Sequence, residues 1–273
     1  MLYFPSAKIN IGLNILNKRP DDFHNIETVF YPVELSDILE IIESPKDSVF
    51  PFFTNTGYVI DTSPEKNLCV QAYQMLKKDF DLPPVAIHLH KIIPFGAGLG
   101  GGSSDAAFML KALNSYFNLE LDEKQLIQYA ARLGSDCAFF IINKALLARG
   151  RGEILESIDL SLKDYYILLV TSPLHVSTAQ AYSWVKPEIP AHPLSKLIEQ
   201  PIESWREFII NDFEKQIFKK YSFFTETKRK LYELGAVFVS MSGSGSTIYG
   251  IFREKPDMKI IFPGCLVWQG KLK

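Results

Sequence analysis

The chain has 273 residues, of which 47% are apolar and 22% charged, with a formal net charge of −2. Such a chain can bury a sizeable core in about two domains, and it is not disordered throughout. The near-neutral balance gives no electrostatic case for nucleic acid or a membrane surface as a partner.

No apolar run reaches membrane-spanning length, and the opening Met1-Leu-Tyr-Phe-Pro lacks the pattern of a secretory signal. Cys69, Cys137 and Cys265 are odd in number and far apart, which suggests neither a disulfide framework nor a zinc-binding pair. The expected compartment is the reducing cytoplasm.

Residues 7–15 alternate strictly: Ala7, Ile9, Ile11, Leu13 and Ile15 share one face, and Lys8, Asn10, Gly12 and Asn14 the other. Period two predicts a half-buried strand, with Lys8 and Asn10 projecting to the same side about 7 Å apart. Arg19-Pro-Asp-Asp-Phe-His24 reads as a turn, followed by strands at 27–33 and 38–43. Residues 44–64 read as a loop around a short strand, and 67–80 as a helix opened by Asn67. A strand over 85–93 leads into a glycine-rich stretch and then a helix over 103–116. His88 and His90 alternate with apolar neighbours there; without a third ligand they read as a solvated strand face, not a metal pair. Residues 122–133 form a helix with Asp122 as N-cap, broken by Gly134-Ser-Asp136. After Gly152 the character changes, which places a domain seam near 150–160. A buried strand over 165–170, proline-broken helices over 177–234, and strands over 236–241 and 247–252 complete the pattern.

The most informative segment is Pro94-Phe-Gly-Ala-Gly-Leu-Gly-Gly-Gly-Ser-Ser-Asp105, which holds five of the sixteen glycines between a strand and a helix. Glycines let backbone N–H groups approach a ligand, and a helix N-terminus offers unpaired N–H groups and a positive dipole end. Together they suit an anion, most often phosphate. A plain strand-to-helix turn needs fewer glycines. The P-loop pattern fails for want of a lysine after the glycines. A dinucleotide fingerprint is met literally by Gly96, Gly98 and Gly101, with Glu120 as the ribose-binding acid, but no parallel strand intervenes. Protein-kinase elements are absent.

Four further elements accompany this loop: Pro-Ser-Ala-Lys-Ile-Asn at 5–10, the turn at 19–24, Leu-Gly-Ser-Asp at 133–136 and Met-Ser-Gly-Ser-Gly-Ser at 241–246. With them the chain resembles the GHMP small-molecule kinases over nearly its full length. The loop alone indicates only the superfamily; the opening strand and the 19–24 turn narrow the likeness to a branch acting on an alcohol that carries a CDP moiety.

The resemblance implies an α+β fold of two domains. An S5-like, ATP-binding N-terminal domain would span 1–153, with an unusual left-handed βαβ crossover. A ferredoxin-like, substrate-side C-terminal domain would span 154–273, its last residues returning to the first. ATP and substrate would meet in the cleft between them. The resemblance makes Asp136 the base and Lys8 the charge stabiliser; without it, Asp136 reads as a helix cap and Lys8 as a solvated strand residue. It gives ATP binding to Pro94, Gly96, Ala97, Gly98, Leu99, Gly100, Gly101, Gly102, Ser103 and Ser104, with Asn67 near adenine and ribose. Magnesium is the implied cofactor, with Ser103 as a ligand. Substrate contacts fall to Asn10, Phe23, His24, Tyr182, Gly243 and Ser244, with Phe23, His24 and Tyr182 recognising cytosine. The family turn is Arg-x-Asp-Gly-Tyr-His; here Asp22 replaces glycine and Phe23 replaces tyrosine. If that glycine takes positive φ, Asp22 must adopt it at some cost.

Overall fold

The computed structural model describes residues 1–44, 52–59, 63–174, 176–257 and 262–273. In chain order, β1 (Leu2–Tyr3), β2 (Ser6–Lys18), β3 (His24–Ser36), β4 (Ile38–Glu43) and β5 (Phe52–Gly57) precede α1 (Leu68–Phe80) and β6 (Val85–Lys91). Then come α2 (Gly101–Tyr116), α3 (Glu123–Leu133), α4 (Cys137–Ile142), β7 (Leu146–Gly150), β8 (Ile154–Ser157) and β9 (Tyr166–Thr171). Helices α5 (Thr178–Trp184), α6 (Leu194–Leu197), α7 (Ile202–Phe208), α8 (Glu214–Lys220) and α9 (Ser222–Glu233) lead to β10 (Phe238–Met241), β11 (Thr247–Phe252) and β12 (Leu266–Lys271).

Packing divides the chain into two compact units: Met1–Ala7, Leu35–Phe95 and Gly100–Lys144 form one, and Lys8–Glu34, Gly96–Leu99 and Ala145–Lys273 the other. A single cut after residue 153 therefore does not describe the packing. Strands β2 and β3 and four residues of the glycine loop pack with the second half of the chain.

The first unit is built on the sheet β1-β4-β6-β5. Strand β5 runs parallel to β6, and α1 connects them, which makes a βαβ unit. Caps set the helix starts: Asn67 accepts from the Cys69 N–H at 2.8 Å, and Asp122 and Gln125 form a capping box on α3. The loop at 44–64 does hold a strand, although residues 45–51 and 60–62 lie outside the described residues. His88 and His90 face β5, where the Thr54 and Thr56 hydroxyls bond them at 2.8–3.1 Å. Beyond α2, Glu120 sits at φ +57 in a connection to α3 rather than at the end of a strand, so the dinucleotide pattern lacks its second strand.

The second unit holds two sheets, β2-β3-β7-β8 and β10-β11-β9-β12. In the latter every pair is antiparallel, with β9 central, and the order is that of a ferredoxin-like sheet. Leu13, Ile15 and Ile26 pack in one core with Leu168, Val170, Phe224, Leu231, Met241 and Ile248. The chain end lies on β3: the Tyr31 hydroxyl donates to the Lys273 carbonyl, and the Lys273 ammonium sits 2.7 Å from Glu34.

One expectation for β2 fails. Its polar face is not solvated, and residues 6–14 are all buried. Alternation marks two different faces but does not tell whether the second is covered. Here the glycine loop and Ser242 cover it through hydrogen bonds to Lys8 and Asn10.

Candidate active site

In the second unit, Lys8 and Asn10 are buried polar side chains, at 4% and 2% exposure. The Lys8 ammonium donates to Asn10 Oδ1 at 2.6 Å and to the Gly98 carbonyl at 3.1 Å, and it lies 4.9 Å above the Phe30 ring. Asn10 Nδ2 donates to Thr28 Oγ1 at 3.0 Å, and that hydroxyl donates to the Gly12 carbonyl at 2.5 Å. An ammonium only donates, so the Asn10 oxygen must face Lys8 and its NH2 must face Thr28. The amide is thereby locked on both sides.

The loop residues between the flanking segments are pinned by their carbonyls. Leu99 accepts from the Lys8 N–H at 3.0 Å, Ala97 from the Thr247 N–H at 3.2 Å, and Gly98 also from Ser242 Oγ at 2.7 Å. Gly96, Gly98 and Gly100 all have positive φ, between +61 and +77. At Gly98 a Cβ would stand 1.9 Å from the Ser242 carbonyl oxygen, so no side chain fits. The Ser242–Ser246 loop is held from behind by Asn211, whose Nδ2 donates to the Met241 and Gly243 carbonyls, each at 2.8 Å. Gly243 places its Cα so that a Cβ would be 3.4 Å from Asn10 Oδ1; Ser244 Oγ lies 3.2 Å from Thr178 Oγ1.

The turn at 19–24 lies in the same unit. Asp22 takes φ +64, the left-handed conformation that a glycine would adopt freely, and pairs with Lys18 at 2.7 Å. Phe23 is 53% exposed, with the Arg151 guanidinium 4.9 Å over its ring. The His24 ring stacks on Tyr182, and Tyr182 meets Phe213 edge-on at 5.0 Å. Burial, helped by Lys18, holds the His24 imidazole below its ordinary pKa, so the ring favours its neutral form.

In the first unit, α2 opens at Gly100 and the first intrahelical bond runs from the Ser104 N–H to the Gly100 carbonyl at 2.9 Å. The N–H groups of Gly101, Gly102 and Ser103 therefore have no intrahelical acceptor. Space beside Gly102 is open: a Cβ there would meet nothing within 4 Å. Burial separates the two serines. Ser103 is half-buried, whereas Ser104 is fully buried and its hydroxyl has no partner among the described residues. Asp136 stands at the N-cap of α4 with φ −84 and ψ −12, and its side chain makes no capping bond. The helix-cap reading thus fails for its carboxylate. Cys137 follows, its thiol pushed up to about 12 by burial.

A magnesium ion carried on nucleotide phosphates needs one or two protein oxygens rather than a cage. Among the described residues no group of three or more His, Cys, Asp or Glu could hold a metal. The Ser103 hydroxyl, half-buried in the first turn of α2, is an oxygen of the kind required.

Thr28 and Asn211 fall outside every motif of the sequence, and Ser242, although part of the 241–246 motif, carries no assigned substrate contact. Thr28 and Asn211 give no signal beyond being polar within buried surroundings.

Residues 67–144 match the family model described as GHMP kinases N terminal domain, and residues 193–262 the one described as GHMP kinases C terminal. The chain belongs to the GHMP kinases. The 4-diphosphocytidyl-2-C-methyl-D-erythritol kinase of Bacteroides fragilis is 50% identical over 275 residues, covering 100% of both chains. A crystal structure of 4-(cytidine 5'-diphospho)-2C-methyl-D-erythritol kinase superposes with a TM-score of 0.76 at 31% identity, over 92% of this chain and 89% of that one. The mevalonate kinase of Methanococcus jannaschii shares the fold, with a TM-score of 0.67 at 13% identity over 100% of this chain and 98% of its own. Within this GHMP family, then, the high sequence identity is to kinases named for a cytidine-diphosphate substrate, whereas the likeness to mevalonate kinase shows the fold alone. Among the described residues no helix is long and apolar enough to cross a membrane.

Proposed function

We propose that this GHMP kinase transfers the γ-phosphate of ATP to the 2-hydroxyl of 4-diphosphocytidyl-2-C-methyl-D-erythritol, a step of the non-mevalonate isoprenoid pathway. The observation that carries the reading is the full-length 50% identity to a kinase of that name.

Phosphoryl transfer needs alignment and charge stabilisation more than covalent chemistry. Asp136 accepts the proton of the attacking hydroxyl, and Lys8 stabilises the charge that spreads over the transferring group. Asn10 fixes the direction of the Lys8 ammonium through the 2.6 Å bond between them. Residues 94–104 hold the phosphates through backbone N–H groups at the start of α2, with Asn67 beside the nucleoside. When bound, magnesium neutralises phosphate charge, with Ser103 as its protein ligand. Phe23, His24 and Tyr182 bind the cytosine, and Gly243 and Ser244 line the substrate diphosphate. A neutral His24 ring has one nitrogen free to accept from the base edge, which its depressed pKa favours. We place the enzyme in the cytoplasm, since its three cysteines are free thiols.

A competition assay tests the substrate class. CDP should inhibit turnover competitively against the alcohol, whereas cytosine-free alcohols such as mevalonate or homoserine should be neither inhibitors nor substrates. Turnover of a cytosine-free alcohol, with CDP inert, contradicts the reading.

A further inference from the structure

Lys91 is the last residue of β6, three positions before the glycine loop, and its ammonium is fully buried in the first unit. No part of its side chain is open to solvent. The ammonium bonds to Asp37, which is equally buried, and to Asp105 Oδ2 at 2.7 Å. Asp37 precedes β4 and is tied down by its own backbone, whose N–H donates to the Pro5 carbonyl at 2.9 Å. Its other oxygen accepts from the Ile92 and Ile93 N–H groups at 2.5 and 2.8 Å. Asp105 lies in α2 and closes the far end of the glycine-rich stretch.

We propose that Asp37, Lys91 and Asp105 form a clamp that fixes both ends of the glycine loop and thereby sets the affinity for ATP. The proposal rests on the reading of that loop as the ATP site. Asp37 grips the two residues before Pro94, and Lys91 joins that grip to the helix that follows the loop. Gly101 completes the fit: a Cβ there would stand 2.8 Å from the Lys91 ammonium, so the helix backbone lies directly on the clamp. Buried ion clusters are weak sources of stability, and apolar residues of similar volume often replace them at no loss. What an apolar replacement does not supply is a fixed distance and direction between two chain segments. A loop held at both ends presents its N–H groups without an ordering cost at each binding event. The three residues are thus positioning residues, acting through the loop rather than on the nucleotide.

The test uses full-length protein, with ATP binding measured calorimetrically without the alcohol and KM measured for each substrate. Asp105→Ala should weaken ATP binding and raise KM for ATP about tenfold while leaving KM for the alcohol within about twofold. Asp105→Asn keeps an oxygen for the Lys91 ammonium and should restore most of the affinity. ATP affinity unchanged in a folded Asp105→Ala protein overturns the clamp. So does a parallel rise in both KM values, the mark of general damage. If Asp105→Ala does not fold, Asp105→Leu fills the space and leaves the buried Lys91–Asp37 pair intact. Wild-type ATP affinity in that variant also overturns the proposal, and weakened affinity at an unchanged melting temperature supports it. Wild-type protein that fails to bind ATP overturns the reading of the site itself; wild-type protein that binds beside an equally tight variant overturns only the clamp.

Discussion

The His24 imidazole lies flat on the phenol of Tyr182, with ring centroids 4.8 Å apart and planes 14° from parallel. Tyr182 is in turn fixed edge-on by Phe213, so the stack rests on the core of the second unit. Offset stacking of this kind holds a polar ring in one orientation while leaving its edge nitrogens to bond elsewhere. The neighbouring Phe23 is less constrained, being exposed, with the Arg151 guanidinium over its face.

That difference makes Phe23 the cleaner probe of base recognition. Stacking of a base on an aromatic ring contributes about 1–3 kcal/mol, and the exposure of Phe23 argues for the lower end. Phe23→Ala should raise KM for the cytidine substrate about fivefold with kcat nearly unchanged. An unchanged KM in steady-state kinetics would mean that cytosine does not stack there.

Lys8 and Asp136 should govern kcat. Lys8→Ala and Asp136→Asn are each expected to lower it by about a hundredfold to ten-thousandfold while leaving ATP binding largely intact. Turnover at the wild-type rate in either variant contradicts their assignment.

Gly98 has both a positive φ and a carbonyl where its Cβ would be. Gly98→Ala should therefore cost about 3 kcal/mol of stability or force the loop to move, with a raised KM for ATP in either case. A variant with an unaltered melting temperature and unaltered KM for ATP would show that the close approach to Ser242 is absent in solution.

Lys111 gives a pH-dependent prediction. It is half-buried on α2, donating to the Phe140 carbonyl at 2.8 Å. Burial, partly opposed by Glu123, lowers its pKa to about 8. The unfolded chain therefore binds the proton more tightly than the folded one. Its burial cost is full below pH 8 and fades as pH rises toward the unfolded value of about 10.4, so stability gains on this account with rising pH. After screening, the gain is on the order of 1–2 kcal/mol. Lys111→Met should flatten this segment of a urea-unfolding series between pH 7 and pH 10. Parallel profiles for the two proteins would remove Lys111 as the cause.

Local signals made much of this molecule legible in its sequence. Period two placed β2, helical spacing and side-chain caps placed α1 and α3, and the family glycine at position 22 foretold the left-handed Asp22. The partners of buried polar groups were not legible. Lys91 meets Asp37 across 54 positions and Asp105 across 14, and no periodicity encodes such a pairing. Residues 210–212 run beside β2, with Leu13 bonded to Ile210 and Asp212 at 2.9 Å each, yet they sit between helices and have no strand pattern. Strands β7, β8 and β12 are short, and their apolar residues do not alternate long enough to stand out.

The most direct test of the central claim is a phosphoryl-transfer assay with ATP and 4-diphosphocytidyl-2-C-methyl-D-erythritol, in which the product is identified by phosphorus and proton NMR. The account predicts ADP and a single product phosphorylated on the 2-hydroxyl. ATP consumption without that product, or phosphate on another hydroxyl, would contradict it.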